Sequence, residues 1–294
     1  MASQLIAEPC QLWNYFDMSI VARSYQQVAG ILAGFAFVAI NLIIDRRQRD
    51  RAAAAATEAH EGHQTITGIA MVIGFIGLVL TAIQYSLLTG EQGCALTGGR
   101  AASKEVLGGV AFGASIYILL YAMVQYLSDA AASLSKHGRF IVAVLVPPTI
   151  VFFVQATLMD LAVALGSSEA RQPLQSLWDW AHRLSIPVAV LIFSACGGVW
   201  YFGMSRRRSK PGTSKMGQTL RIILPYVTLA LVTAALMRSG LVLPNTNPGA
   251  HISPLEAWAW VTILAAVLLI QSIALSTQKG IESPRSRPTQ EGAA

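Results

Sequence analysis

The sequence predicts an all-α integral membrane protein, a polytopic bundle of seven transmembrane helices with the N-terminus outside and the C-terminus in the cytoplasm. Three observations predict it. Of 294 residues, 54% are hydrophobic and only 12% are charged, about half the charged share of an ordinary soluble domain. The apolar residues gather into seven runs, each near the roughly 20 residues that a helix needs to cross hydrocarbon. The basic residues collect after alternate runs, which is the signature of a cytoplasmic face.

The runs, in order, are 20–44, 66–88, 106–127, 140–165, 184–204, 222–243 and 257–275. They form one domain over residues 1–275. The tail 276–294 is rich in Pro, Ser, Gly and charge and reads as a disordered cytoplasmic extension. Residues 1–20 lack a basic stretch followed by an apolar one, so the first run reads as a retained span rather than a cleaved leader.

Orientation comes from the connecting segments. Arg46, Arg47, Arg49 and Arg51 follow the first run, and Lys136 and Arg139 the third. Arg206, Arg207, Arg208, Lys210, Lys215 and Arg221 follow the fifth; Lys279, Arg285 and Arg287 follow the seventh. These make 15 of the 21 Lys+Arg residues, all on one side, which assigns that side to the cytoplasm. Arg23, Arg100, Lys104, Arg171 and Arg183 fall on the other side, with Arg238 just inside a span. The net charge of +6 therefore reads as topology and not as a nucleic-acid surface. The expected partner is the bilayer, with Arg206, Arg207 and Arg208 against anionic headgroups. With no eukaryotic targeting feature, the expected location is a plasma membrane of the bacterial inner-membrane kind.

Aromatic residues mark the edges. Trp13, Tyr15 and Phe16 precede the first span, Trp178 and Trp180 the fifth, and Trp258 and Trp260 open the seventh. Trp and Tyr favour the interface because the ring is apolar while the N–H or O–H stays wet. Residues 172–184 place Leu174, Leu177, Trp178, Ala181 and Leu184 at helical spacing, which predicts a short amphipathic helix on the outer surface.

Small residues recur four apart: Gly30 and Gly34, Ala70 and Gly74, Gly109 and Gly113, Ser194 and Gly198. Such pairs let backbones approach closely in lipid. Prolines interrupt three spans, at Pro147–Pro148, Pro187 and Pro225, each removing a backbone donor. Gln84, Asn41, Gln155 and Gln271 carry amides that need partners inside the membrane.

The candidate site begins with two charges inside spans, Asp160 in the fourth and Arg238 in the sixth. An unpaired charge in hydrocarbon costs about 2.5–3.5 kcal/mol on the insertion scale. The sequence therefore predicts that the two pair with each other or share a wet cavity. Tyr117, Tyr121 and Gln125 line one face of the third span and complete the candidate ligand-binding set. Two readings stay open: an ion pair that pins spans four and six, and a polar site for a small hydrophobic ligand.

Cys10 and Cys94 share the external side and form a disulfide candidate. His60 and His63 lie three apart between carboxylates, but the pattern is not the HExxH of zinc proteases; no metal or other cofactor is expected. No lysine lies inside span seven, no histidine inside any span, and no GxxxxGK[ST] loop is present. A retinal Schiff base, a bis-His haem and a nucleotide loop are thereby excluded.

Three outlines invite comparison. Seven spans with an external N-terminus resemble G-protein-coupled receptors, but span seven lacks Asn-Pro and span three ends in Tyr126-Leu127-Ser128-Asp129. The parity resembles the three-plus-one-plus-three layout of SWEET sugar transporters, without the Pro-Gln pair of PQ-loop proteins. Asp160 among Tyr117, Tyr121, Phe152 and Phe153 resembles the acid-among-aromatics arrangement of seven-span terpene cyclases, without their Trp-Glu motif. That last resemblance implies an enzyme with Asp160 as the catalytic acid on an isoprenoid-like substrate. The function expected first is binding or transport of a small, fairly apolar molecule. An embedded enzyme and a non-catalytic membrane partner or signalling subunit are the alternatives.

Overall fold

The computed structural model describes residues 18–53, 58–90, 95–130, 132–166, 183, 186–202, 215–242, 247 and 249–276. Among them the chain is helical apart from short connections, with no strand. The helices are α1 (Met18–Ala53), α2 (Glu58–Leu88), α3 (Ala95–Ala130), α4 (Ala132–Phe140), α5 (Val146–Gly166), α6 (Ile186–Phe202), α7 (Lys215–Val242) and α8 (Pro254–Ser276). A π-helical turn, Ile141–Leu145, fuses α4 and α5 into one apolar column.

Six columns are long and apolar enough to cross a membrane: Ser19–Asp45, Ile66–Leu88, Gly98–Leu127, Leu134–Leu165, Thr219–Gly240 and Pro254–Ser276. α6 is a shorter apolar helix at the fifth predicted run. The outside of the bundle is greasy: Phe35 and Leu191 are each 69% exposed. Water would not tolerate such a surface over whole helices, whereas lipid solvates it.

α3 is the central column. In its most apolar 18-residue stretch 83% of residues are buried by other helices, against 22% in α1. The sequence explains this position. Ala101, Ala102, Gly108, Gly109, Ala111, Gly113, Ala114 and Ala122 keep α3 thin, so α2, α5, α7 and α8 all pack on it. α1 packs mainly on α2 and turns Ile31, Phe35, Val38 and Leu42 outward.

The small-residue pairs divide by use. A Cβ on Gly77 would lie 2.3 Å from Ser115 Oγ, and one on Gly113 2.5 Å from Ile150 Cγ2. Gly74 backs onto Leu119 and Gly109 onto Val154 and Thr157. These glycines set the α2–α3 and α3–α5 spacings. Gly30, Gly34 and Gly198, by contrast, meet nothing within 4 Å.

The prolines act differently from one another. Pro147 and Pro148 follow the π turn, where the Val146 N–H donates to the Ile141 carbonyl. Widening the helix there accommodates two rings and two missing donors without ending it. Pro225 sits inside a continuous α7. Pro187 corrects the sequence expectation: it occupies the first turn of α6, where its missing N–H would lack an intrahelical acceptor anyway.

Helix ends extend past the apolar runs. α1 continues through its arginine-rich segment to Ala53, held by an exposed Arg49–Asp45 pair at 2.7 Å. α3 begins eleven residues before the predicted 106, which draws Arg100, Lys104 and Glu105 into the bundle as buried residues. Arg100 and Lys104 are thus not the exposed loop charges that the sequence suggested.

Candidate functional site: a carboxyl pair among aromatic rings

The end where α1, α3 and α8 begin and α2, α5 and α7 finish is here the upper end; the other is the lower end. The loop before α8 folds over the upper end of α3. Ser103 Oγ accepts a hydrogen bond from the Ile252 N–H at 3.0 Å and donates to the Gly99 carbonyl at 2.7 Å. Ile252 is fully buried there.

Below that cover, Glu105, Gly108, Gly109 and Phe112 share one face of α3, because positions three, four and seven apart align on a helix. The Tyr85 ring of α2 lies over Gly108, where an added Cβ would stand 3.2 Å from the ring. Tyr25 of α1 joins this face. Its ring centroid is 5.1 Å from Tyr85, 6.0 Å from Phe112 and 5.3 Å from Phe153 of α5, the last edge-on. Tyr85 and Phe112 meet edge-on at 6.3 Å. Four rings from four helices therefore form one cluster, with Tyr25 at its centre.

Two carboxyl groups sit beside these rings. Glu105 is 2% exposed and lies within electrostatic reach of Asp160, which is half-buried on α5. Both act on Tyr25, and Glu105 acts on Tyr85. Among the described residues neither carboxyl belongs to an ion pair. Glu105 Oε2 and the Tyr85 hydroxyl are buried without a hydrogen-bond partner there. On α5, the buried Gln155 amide has none at either atom.

Arg238 does not pair with Asp160. It donates to Glu256 of α8 through both Nε and Nη2, the latter at 2.7 Å. The pair is partly exposed and ties α7 to α8. The reason is local: Glu256, in the first turn of α8 at the upper end, meets Arg238 near the upper end of α7, while Asp160 lies toward Tyr25 and Glu105. Arg238 thus clasps α7 to α8, whereas Asp160 lies with Glu105 and Tyr25, so the two predicted charges do not form one site.

The other three predicted residues lie lower. Tyr117 is about 18 Å further along α3 than Glu105, twelve residues at 1.5 Å each. It is fully buried, and its hydroxyl shares a 3.1 Å hydrogen bond with Ser272 of α8. Cys196 of α6 also approaches Ser272, at 3.9 Å. Tyr121 and Gln125 continue the same buried face. Of the other amides, Gln84 donates to Ser239 and Gln271 to Thr228 at 2.7 Å, each joining two helices. Asn41 donates to its own helix, at Phe37 O, 3.0 Å away.

Sequence reasoning missed Glu105, Tyr25 and Tyr85. The signal was present in part: Glu105 lies one helical turn before Gly108 and Gly109, on the face that carries Phe112. Cys10, Cys94, the stretch 172–182, Arg206–Arg208 and the tail 277–294 lie outside the described residues, as do the side chains of His60 and His63. Among the described residues no three His, Cys, Asp or Glu side chains stand together as a metal site. Comparison with protein-family profiles, curated proteins and solved structures finds no match to this chain.

Proposed function

We propose that this chain is a plasma-membrane bundle that binds, and passes through or along the bilayer, a small apolar cation at the Tyr25–Tyr85–Glu105–Asp160 cluster. The observation that carries the reading is Glu105: a carboxyl group 2% exposed, with an unpartnered Oε2 and a second carboxyl group in reach. Two acids inside a low-dielectric bundle need a compensating positive charge, either a proton or a bound cation. The surrounding faces of Tyr25, Tyr85, Phe112 and Phe153 favour a cation that is apolar, since aromatic faces attract positive charge by about 0.5–2 kcal/mol each. Tyr25 sits on the least buried column, so it is the ring a ligand displaces.

The same arrangement supports the embedded-enzyme reading in one respect: Asp160, half-exposed beside rings, could protonate an unsaturated apolar substrate. Substrate turnover lost in Asp160→Asn, with ammonium binding absent, would favour it.

The binding test uses purified protein in a neutral detergent and two probes of one shape. Benzyltrimethylammonium binds saturably, and its uncharged isostere neopentylbenzene does not. Glu105→Gln weakens the ammonium at least about tenfold, as the loss of one charge-assisted contact in a dry site requires. Equal binding of the two probes, or an unaltered affinity in Glu105→Gln, would reject the reading. The orientation proposed with it places the upper end outside. Reporter fusions at residues 95 and 210 then signal outside and inside respectively, and an external signal at 210 inverts it.

A further inference from the structure

Among the described residues the carboxyl site is shut at its upper end and open to one side. Gly98 stands two turns above Glu105 on the same face of α3, and a Cβ added to it would meet Ala164 Cβ of α5 at 3.9 Å. Ala101 and Ala102, between them, are 3% and 0% exposed, so that face has no way out upward. Tyr85 and Phe112 are buried beneath it. Val154 and Thr157 of α5 close on Gly109, 3.7 and 3.8 Å from an added Cβ. This sets Asp160, one turn above Thr157, level with Glu105, one turn above Gly109.

The side between α1 and α5 differs. These helices do not pack along their lengths; they meet where the Tyr25 ring stands edge-on to Phe153, at 5.3 Å. Tyr25, Phe153 and Asp160 are half-exposed, whereas Glu105 behind them is buried. Outside the rings the gap is apolar. Val28 and Leu32 follow Tyr25 on its face of α1, and the exposed Phe152 and Ala156 flank Phe153 on α5.

Polarity falls in one direction along this gap. Asp160 lies five residues below the upper end of its span and Glu105 seven below the start of its own, about 8–10 Å at 1.5 Å per residue, where headgroup gives way to hydrocarbon. Phe153 and Phe112 lie seven residues further down, about 10 Å, and the apolar gap continues toward the bilayer centre. Acids at the interface, rings beneath them and a greasy slot beyond repeat the order of a single-chain cationic amphiphile: charge, N-methyl groups, chain.

Resting on the cation reading above, we infer that the gap between α1 and α5 is a lateral entrance to the carboxyl site, shut by the Tyr25 ring, and that the ligand is a single-chain ammonium amphiphile drawn from the upper leaflet. Its head lies at Glu105 and Asp160. Its chain swings Tyr25 off Phe153 and stays in the gap, in contact with lipid.

The test exposes the protein in dioleoylphosphatidylcholine nanodiscs to dodecyltrimethylammonium carrying a diazirine midway along its chain. Irradiation is followed by mapping of the adducts by peptide mass spectrometry. Adducts fall on Val28, Leu32, Phe152 or Ala156, and excess benzyltrimethylammonium removes them. In Glu105→Gln the probe concentration that half-saturates them rises at least about tenfold. Ala156→Trp fills the gap from the lipid side. It weakens the dodecyl probe about tenfold more than benzyltrimethylammonium, as one overpacked contact requires. The competition uses the wild-type chain and decides the matter if a variant does not fold. Removable adducts confined to other columns, or an Ala156→Trp protein that alters both affinities alike, overturn the entrance and leave the cation site standing. Adducts in the gap that neither the competitor nor Glu105→Gln diminishes report lipid contact alone and overturn the cation reading with it.

Discussion

Gly77→Ala tests the packing account most sharply. The new Cβ would lie 2.3 Å from Ser115 Oγ and 3.0 Å from Ser115 Cβ, where comfortable carbon contact begins near about 3.5 Å. Rotating Ser115 away relieves the first contact but breaks its 2.7 Å hydrogen bond to the Ala111 carbonyl. The second contact remains, so α2 and α3 must separate by about 0.5 Å to restore ordinary spacing. Overpacking of this kind costs about 1–3 kcal/mol, and alanine's better helix propensity returns about 0.8–1 kcal/mol of it. The net expectation is a loss of up to about 2 kcal/mol. Ser115→Gly removes both offending atoms, so the double variant should recover most of the loss as a coupling energy. Unfolding in mixed micelles, followed by tryptophan fluorescence, measures all corners of the cycle. Gly30→Ala is the control: nothing lies within 4 Å of the added carbon, so its stability should match or slightly exceed the wild type. If Gly77→Ala and Gly30→Ala behave alike, or Ser115→Gly gives no recovery, the close α2–α3 approach is wrong.

Three further outcomes follow. Arg238→Gln or Glu256→Gln should each lower stability by about 1 kcal/mol, as befits a partly exposed pair, and the swap R238E/E256R should recover part of it. Combining Arg238→Gln with Asp160→Asn should give additive losses, because the two groups are not partners; a strong coupling would restore the pairing with Asp160. Tyr117→Phe should cost about 1 kcal/mol, the worth of its hydrogen bond to Ser272, and leave ammonium binding at the upper end unchanged.

The helical columns were legible because hydropathy accumulates over twenty residues, so a few misplaced ends do not hide a span. The α3 boundary was missed for the same reason: Arg100, Lys104 and Glu105 interrupt the apolar run, although the helix carries straight through them. Asp160 was visible as a charge inside a span, but its surroundings were not. Tyr25 and Glu105 reach it from two other helices, with Tyr85 stacked on Tyr25 from a third, and no spacing along the chain encodes that meeting. Arg238 shows the converse. Its partner Glu256 is 18 residues away, yet it falls outside a seventh span begun at 257, three residues after the helix starts at Pro254. The α3 face of Tyr117, Tyr121 and Gln125 was readable from helical period alone, whereas the contact of Tyr117 with Ser272 depends on how distant columns pack.

The account rests on a dry, ligand-responsive carboxyl group at Glu105. Treating the protein in membranes with dicyclohexylcarbodiimide, an apolar reagent for buried acids, and mapping the adduct by peptide mass spectrometry tests it directly. The account predicts modification at Glu105, slowed by benzyltrimethylammonium and not by neopentylbenzene, with a water-soluble carbodiimide unreactive at the same residue. Equal labelling by the water-soluble reagent, or labelling of Glu105 that the ammonium leaves unchanged, would contradict it.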